Sequence, residues 1–227
     1  MIAETFRAIC AQPVDDDGVT FDVAALEAAP IREEVEYAGV RIRTSATIGG
    51  ARIPIQVDIG FGDAITPAPV EINYPVLLDV PAPHLRAYPV GTVVAEKFEV
   101  LMTLGMANSR LKDFYDLWLI AQTFEFRQVE LVEAVRRTFE RRGTTLPADI
   151  PIGLSDEFAV AWAAQWRTFL GRQRMAAAPD VFAAVIADLR DFLIPLAGTS
   201  EEDPVWRPHG PWLPSTSSTG SRGMRNE

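Results

Sequence analysis

Hydrophobic positions alternate with polar ones in the first part of the chain and recur at helical spacing in the second. In 52–60, Ile53, Ile55, Val57 and Ile59 alternate with Pro54, Gln56 and Asp58, the period-two signature of a half-buried strand with Asp58 on the face away from the core. Residues 37–48 are also strand-like, and Gly49-Gly50 between the two runs signals a two-residue hairpin turn. A short strand at 19–23 follows the turn Asp15-Asp16-Asp17-Gly18, and 24–31 reads as helical or irregular. The proline-rich stretch 61–89 reads as a loop with one short strand near 76–80. From Thr92 onward the spacing predicts helices over 92–105, 110–124, 128–142, 155–174 and 179–193. Phe114, Trp118, Phe124, Phe126, Trp162, Trp166 and Phe169 fall at core positions of that pattern.

Two ends stand apart. Residues 1–11 read as the last turns of a helix, with Ile2, Phe6 and Ile9 on one stripe and no N-cap before them. From about Gly198 the chain is rich in Ser, Thr, Gly and Pro without periodicity, which predicts a disordered tail. The expected fold class is α+β: a partial mixed sheet over 1–90, a helical domain over 91–197 and a tail over 198–227.

Composition narrows the functions this chain can have. Its 227 residues are 48% hydrophobic, ample for a core, and the net charge of -10 excludes a general nucleic-acid coat. A local basic cluster, Arg136, Arg137, Arg141 and Arg142, reads equally as a solvated helix end or as a docking surface for an RNA backbone. The single cysteine, Cys10, excludes an internal disulfide and suits a reducing cytoplasm. His84 and His209 are far apart and offer no zinc-ligand grouping. No apolar run approaches the roughly 18 residues of a membrane span, so the expectation is a cytoplasmic protein with no membrane partner.

The charged residues that stand out lie at 95–118, AEKFEVLMTLGMANSRLKDFYDLW. Glu96 suits the first turn of a helix, whereas Lys97 lies on the border of the apolar stripe, between Val94 and Leu101. Asp113 and Asp116 share a helix face, and Lys112 reaches Asp116 four residues on. A lysine and carboxylates at one corner suit a phosphate-binding site, and they equally suit two salt-bridged helices. Asp58, at the end of an aliphatic strand before Gly60 and Gly62, reads as a turn cap or as a carboxylate for a hard cation such as Mg2+.

Five blocks taken together point to a family: IQVDIGFGD (55–63), YPVLLD (74–79), AEKFEVLMTLG (95–105), NSRLKDFYDLW (108–118) and TFERRGTTLP (138–147). In this order they resemble the AbiEii/AbiGii nucleotidyltransferase toxin family, of the polymerase-β-type superfamily. The resemblance implies transfer of a nucleotide from an NTP with Mg2+, in some members onto the 3′ end of tRNA. It also implies the toxin half of a toxin–antitoxin or phage-defence pair, partnered by a cognate antitoxin. By resemblance Asp58 is the third metal-binding carboxylate and Lys97 lies near the NTP phosphates. Asp113 and Asp116 border the same site, with Arg110 and Lys112 as the basic positions beside them.

The resemblance departs in one place. The family opens on a strand with Gly-Ser or Gly-Gly, followed by an Asp-x-Asp pair that holds the metals of the two-metal reaction. Here Asp15-Asp16-Asp17 lies in a turn, and no Asp-x-Asp follows Gly49-Gly50. The expectation is therefore a nucleotidyltransferase-like toxin that lacks its N-terminal catalytic segment and is impaired. The alternative is a non-catalytic nucleotide- or antitoxin-binding protein.

Overall fold

A two-residue turn organises the N-terminal sheet. Strands β3 (Val40–Ile48) and β4 (Ala51–Ile59) pair antiparallel along their whole length, from Val40 opposite Ile59 to Ile48 opposite Ala51. Gly49 and Gly50, with φ of 54 and 82°, both occupy the left-handed region, which is what a type I′ hairpin turn demands. On the other edge of β3 lie β1 (Val19–Phe21), against Ala46–Ile48, and β2 (Glu27–Pro30), against Val40–Arg43. The alternation in β4 comes out as expected, with Ile55, Val57 and Ile59 half-buried and Gln56 and Asp58 exposed. Ile53, next to the turn, is exposed as well. Residues 24–31, expected to be helical or irregular, supply β2 instead. The open edge of β3 offers Glu27–Pro30 a ladder, and tertiary pairing overrides the helix preference of its alanines. Helix α1 (Ile2–Cys10) buries no residue, and its Arg7 Nη2 donates to Leu26 O at 3.2 Å.

This computed structural model describes residues 1–31, 39–62, 64–175, 177–198 and 202–215, in two compact units, 1–63 and 64–227. Residues 37–38 of the expected strand 37–48 lie outside the described residues. The division falls at 63 and 64 rather than 90. One reason is that the Thr92 hydroxyl donates to Thr66 O at 3.0 Å and accepts from Thr66 N–H at 3.1 Å, tying the proline-rich stretch to the helices.

In the second unit, β5 (Val70–Asn73) and β6 (His84–Ala87) form a hairpin. The strand expected near 76–80 is absent. Pro75, Pro81 and Pro83 remove ladder donors around it, and Val80 N–H bonds back to Leu78 O in a tight local turn. Five helices follow: α2 (Val90–Leu104), α3 (Leu111–Thr123), α4 (Gln128–Arg142), α5 (Asp156–Gln173) and α6 (Phe182–Leu193). Ser155 caps α5, its Oγ accepting from Phe158 N–H at 3.1 Å. Aromatic rings join the helices into one core. Phe98 meets Phe139 between α2 and α4, and Phe114 meets Phe158 and Phe182 between α3, α5 and α6. Phe124 is the exception among the predicted core aromatics. It sits just past the end of α3 and is exposed.

Part of the expected disordered tail is built into this core. Strands β7 (Phe126–Arg127), β8 (Val205–Trp206) and β9 (Trp212–Leu213) form a small sheet. Trp206 is buried, donates from Nε1 to Ala121 O at 2.8 Å and packs 4.8 Å from the Phe192 ring. Gly210 lies so close to that indole that a Cβ there would come within 2.6 Å of Trp206 Cη2. Asp203 Oδ1 accepts from Val129 N–H at 3.0 Å and so caps the start of α4. Residues 199–201 and 216–227 of the expected tail lie outside the described residues.

Candidate functional site

The corner between α2 and α3 brings together the charges that the sequence singled out. A short 3-10 turn, Gly105–Ala107, leads from α2 to Asn108, whose buried Oδ1 accepts from Arg110 N–H at 3.0 Å and starts α3. That turn folds α3 back so that Asp113 and Asp116, one helical turn apart, face Lys97. Lys97 Nζ donates to Asp113 Oδ1 at 2.5 Å and lies 3.0 Å from Asp116 Oδ2. Lys112 Nζ reaches the two Asp116 oxygens at 3.0 and 2.7 Å. Burial opposes the charge on Lys97, but hydrogen bonds and attraction from both carboxylates outweigh it and hold its pKa above the ordinary lysine value. Its side chain is 21% exposed, so the ammonium is sheltered yet reachable. The four charges cancel. Arg110 at the helix start is exposed and makes no ion pair among the described residues.

Asp58 lies in the other compact unit. Arg41 stands directly across the hairpin and donates from Nε and Nη2 to Oδ1 and Oδ2, each at 2.7 Å. This bidentate pair holds the Asp58 carboxyl below the usual carboxylate range, chiefly through the Arg41 hydrogen bonds. The pairing was legible in advance. A two-residue turn at 49–50 sets Ile48 opposite Ala51, and counting back along both strands puts Arg41 opposite Asp58. Both Asp58 oxygens accept from a guanidinium in this exposed pair, so the Mg2+ that the family resemblance implies would have to share or displace Arg41 there. Among the described residues no three His, Cys, Asp or Glu side chains are grouped to hold a metal ion.

A second charged cluster, on the opposite side of α2, escaped the sequence reading. Glu99 is buried, and its Oε2 accepts from Arg142 Nη1 at 2.8 Å. Its Oε1 accepts from the hydroxyls of Thr103 and Thr144 at 2.6 and 2.7 Å. Burial penalises this carboxylate, but the threonine and arginine hydrogen bonds outweigh the penalty and lower its pKa. Glu99 and Arg142 are 43 residues apart, and only the packing of α2 against α4 brings them together. Three of the four arginines of the basic run pair with glutamates. Arg142 is spent on Glu99. Arg136 bonds Glu133 and Glu140, and Arg137 bonds Glu133, whose pKa falls to about 2 through the Arg136 and Arg137 hydrogen bonds.

The family model for nucleotidyl transferase AbiEii toxins, of the type IV toxin–antitoxin system, matches residues 1–192. The chain belongs to the AbiEii nucleotidyl transferase toxin family. The match spans both compact units and ends at the last turn of α6, before β8 and β9. No curated protein and no solved structure matches the chain. Within the matched span, Lys97 of the A-E-K run and the two acids of the K-D-x-x-D run, Asp113 and Asp116, meet at the α2–α3 corner. Among the described residues no helix is long and apolar enough to cross a membrane.

Proposed function

We propose that the α2–α3 corner is the nucleotide-phosphate side of the family's transfer site, with Lys97 as the group that holds the phosphates of an NTP. The observation that carries this reading is one ammonium in contact with both acids of the K-D-x-x-D block. Two carboxylates keep Lys97 charged and aimed, and phosphate oxygens can replace them as acceptors without moving the backbone. Asp113 and Asp116 are then positioning residues. Arg110 and Lys112 add positive charge at the rim. On this reading the protein is the cytoplasmic toxin of a phage-defence pair, held by a cognate antitoxin, and tRNA is the candidate acceptor.

A second reading has its own observation. Both oxygens of Asp58 accept charge-assisted hydrogen bonds from Arg41, which compete with any cation for that carboxylate. These favour a chain that by itself binds nucleotide or antitoxin without transferring. One experiment separates the two. The chain is incubated with each radiolabelled NTP and total tRNA, and both transfer and NTP binding are measured. Label in tRNA that disappears in Lys97→Ala supports the transferase. NTP binding without transfer, lost in Lys97→Ala, supports the second reading. Transfer that survives both Lys97→Ala and Asp58→Ala removes the site assignment.

A further inference from the structure

A second concave surface lies where the start of α3 meets one face of α5. Its volume is about 460 Å³, within the range of small-molecule sites. Trp162, Gln165, Phe169, Arg172 and Gln173 of α5 line it, with Ser109 on the opposing rim. The spacing of Trp162, Gln165, Phe169 and Arg172 keeps them on one helical stripe, alternating rings with hydrogen-bonding heads.

The chemistry of that stripe is specific. Trp162 is fixed in place: its ring stacks on Phe158 at 5.9 Å and its Nε1 donates to Met106 O at 3.3 Å. Arg172 is exposed and makes no ion pair among the described residues. Among the described residues no carboxylate lines the groove, although the chain carries a net charge of -10. A purely apolar ligand would leave Arg172 and the two glutamines idle, and an inorganic anion would leave the rings idle. A ligand that uses all of them has a planar, hydrogen-bonding ring system and an anionic group. We infer that this groove binds a nucleoside monophosphate unit, free or at the end of a single strand. The base lies against the aromatic rings, its edge meets the glutamine amides, and the phosphate meets Arg172. The groove shares no lining residue with the Lys97 cluster, and binding is read without any transfer reaction. The inference therefore stands separately from the transferase reading.

The test titrates the full chain with AMP, adenosine and a 5′-phosphorylated tetra-adenylate, followed by tryptophan fluorescence and calorimetry. Saturable AMP binding is expected. Arg172→Gln should weaken AMP about tenfold, the worth of one charge-assisted bond, and leave adenosine unchanged. Trp162→Leu should weaken both. If that variant misfolds, Arg172→Gln, a change on an exposed surface, carries the test alone. A tetra-adenylate that binds more tightly than AMP identifies the end of a strand as the source, and equal binding identifies the free nucleotide; either upholds the site. No saturable binding, or AMP affinity indifferent to Arg172→Gln, overturns it. So does binding lost in Lys97→Ala, which would place the nucleotide at the α2–α3 corner.

Discussion

Lys97 and Glu99 lie two residues apart on α2, and their surroundings are opposite in kind. Lys97 faces α3 and is shared by two carboxylates, about one-fifth exposed, in a cluster open to solvent at its rim. Glu99 faces α4 and is closed in by Arg142, Thr103 and Thr144. Both are paired, so pairing alone says nothing about role. The difference is access. A phosphate could reach Lys97 by displacing a carboxylate, whereas the Glu99 side chain is only 7% exposed and both its oxygens are held by Arg142, Thr103 and Thr144. On the proposed reading one charge is placed for a ligand, while the other holds two helices together.

The largest expected effect is on function. Lys97→Ala should lower nucleotide transfer by about a hundredfold or more, in line with the removal of one charged donor from a site, while circular dichroism remains that of the folded chain. Next comes stability. Glu99→Ala strands Arg142 and should cost about 3 kcal/mol, which thermal melting should read as a fall of roughly 6–12 °C for a chain of this size. A melt unchanged by Glu99→Ala would dissolve the contrast.

The two residues should also separate by pH. The raised pKa of Lys97 means that its contribution to stability is complete below about 10.4 and fades as pH rises through the higher folded value. The lowered pKa of Glu99 makes its contribution complete above about 4.3 and lost as pH falls through the lower folded value. Urea midpoints across pH should therefore show wild type converging with Lys97→Met only on the alkaline limb. Wild type should converge with Glu99→Gln only on the acid limb. The smallest effect is a control. Arg136→Ala removes exposed pairs to Glu133 and Glu140 and should leave the urea midpoint where it is.

Features that repeat locally were legible in the sequence. The five helices follow from their apolar spacing, the β3–β4 hairpin from Gly49-Gly50, and the meeting of Lys97 with Asp113 and Asp116 from charges gathered at a short interhelical turn. Features fixed by distant partners were not. Glu27–Pro30 becomes a strand because β3 has an open edge, and Glu99 finds Arg142 across a helix–helix packing. Trp206 and Trp212 carry the burial of the C-terminal segment without any period, amid Pro and Gly that read as tail. Of the candidate corner, the charges that come together were readable from the sequence, whereas their role there is a proposal. The Arg41 clamp on Asp58 was readable too, once the turn had fixed the register.

Equilibrium binding of NTP to wild type and to Lys97→Ala is the most direct test of Lys97 as the ligand-facing charge, because it needs no turnover. The expected result is an affinity at least about tenfold weaker in the variant, as befits a lost charge-assisted contact, with Glu99→Gln close to wild type once folded. Equal NTP affinity in wild type and Lys97→Ala would contradict it and leave the Lys97 cluster, like that of Glu99, a clamp between helices.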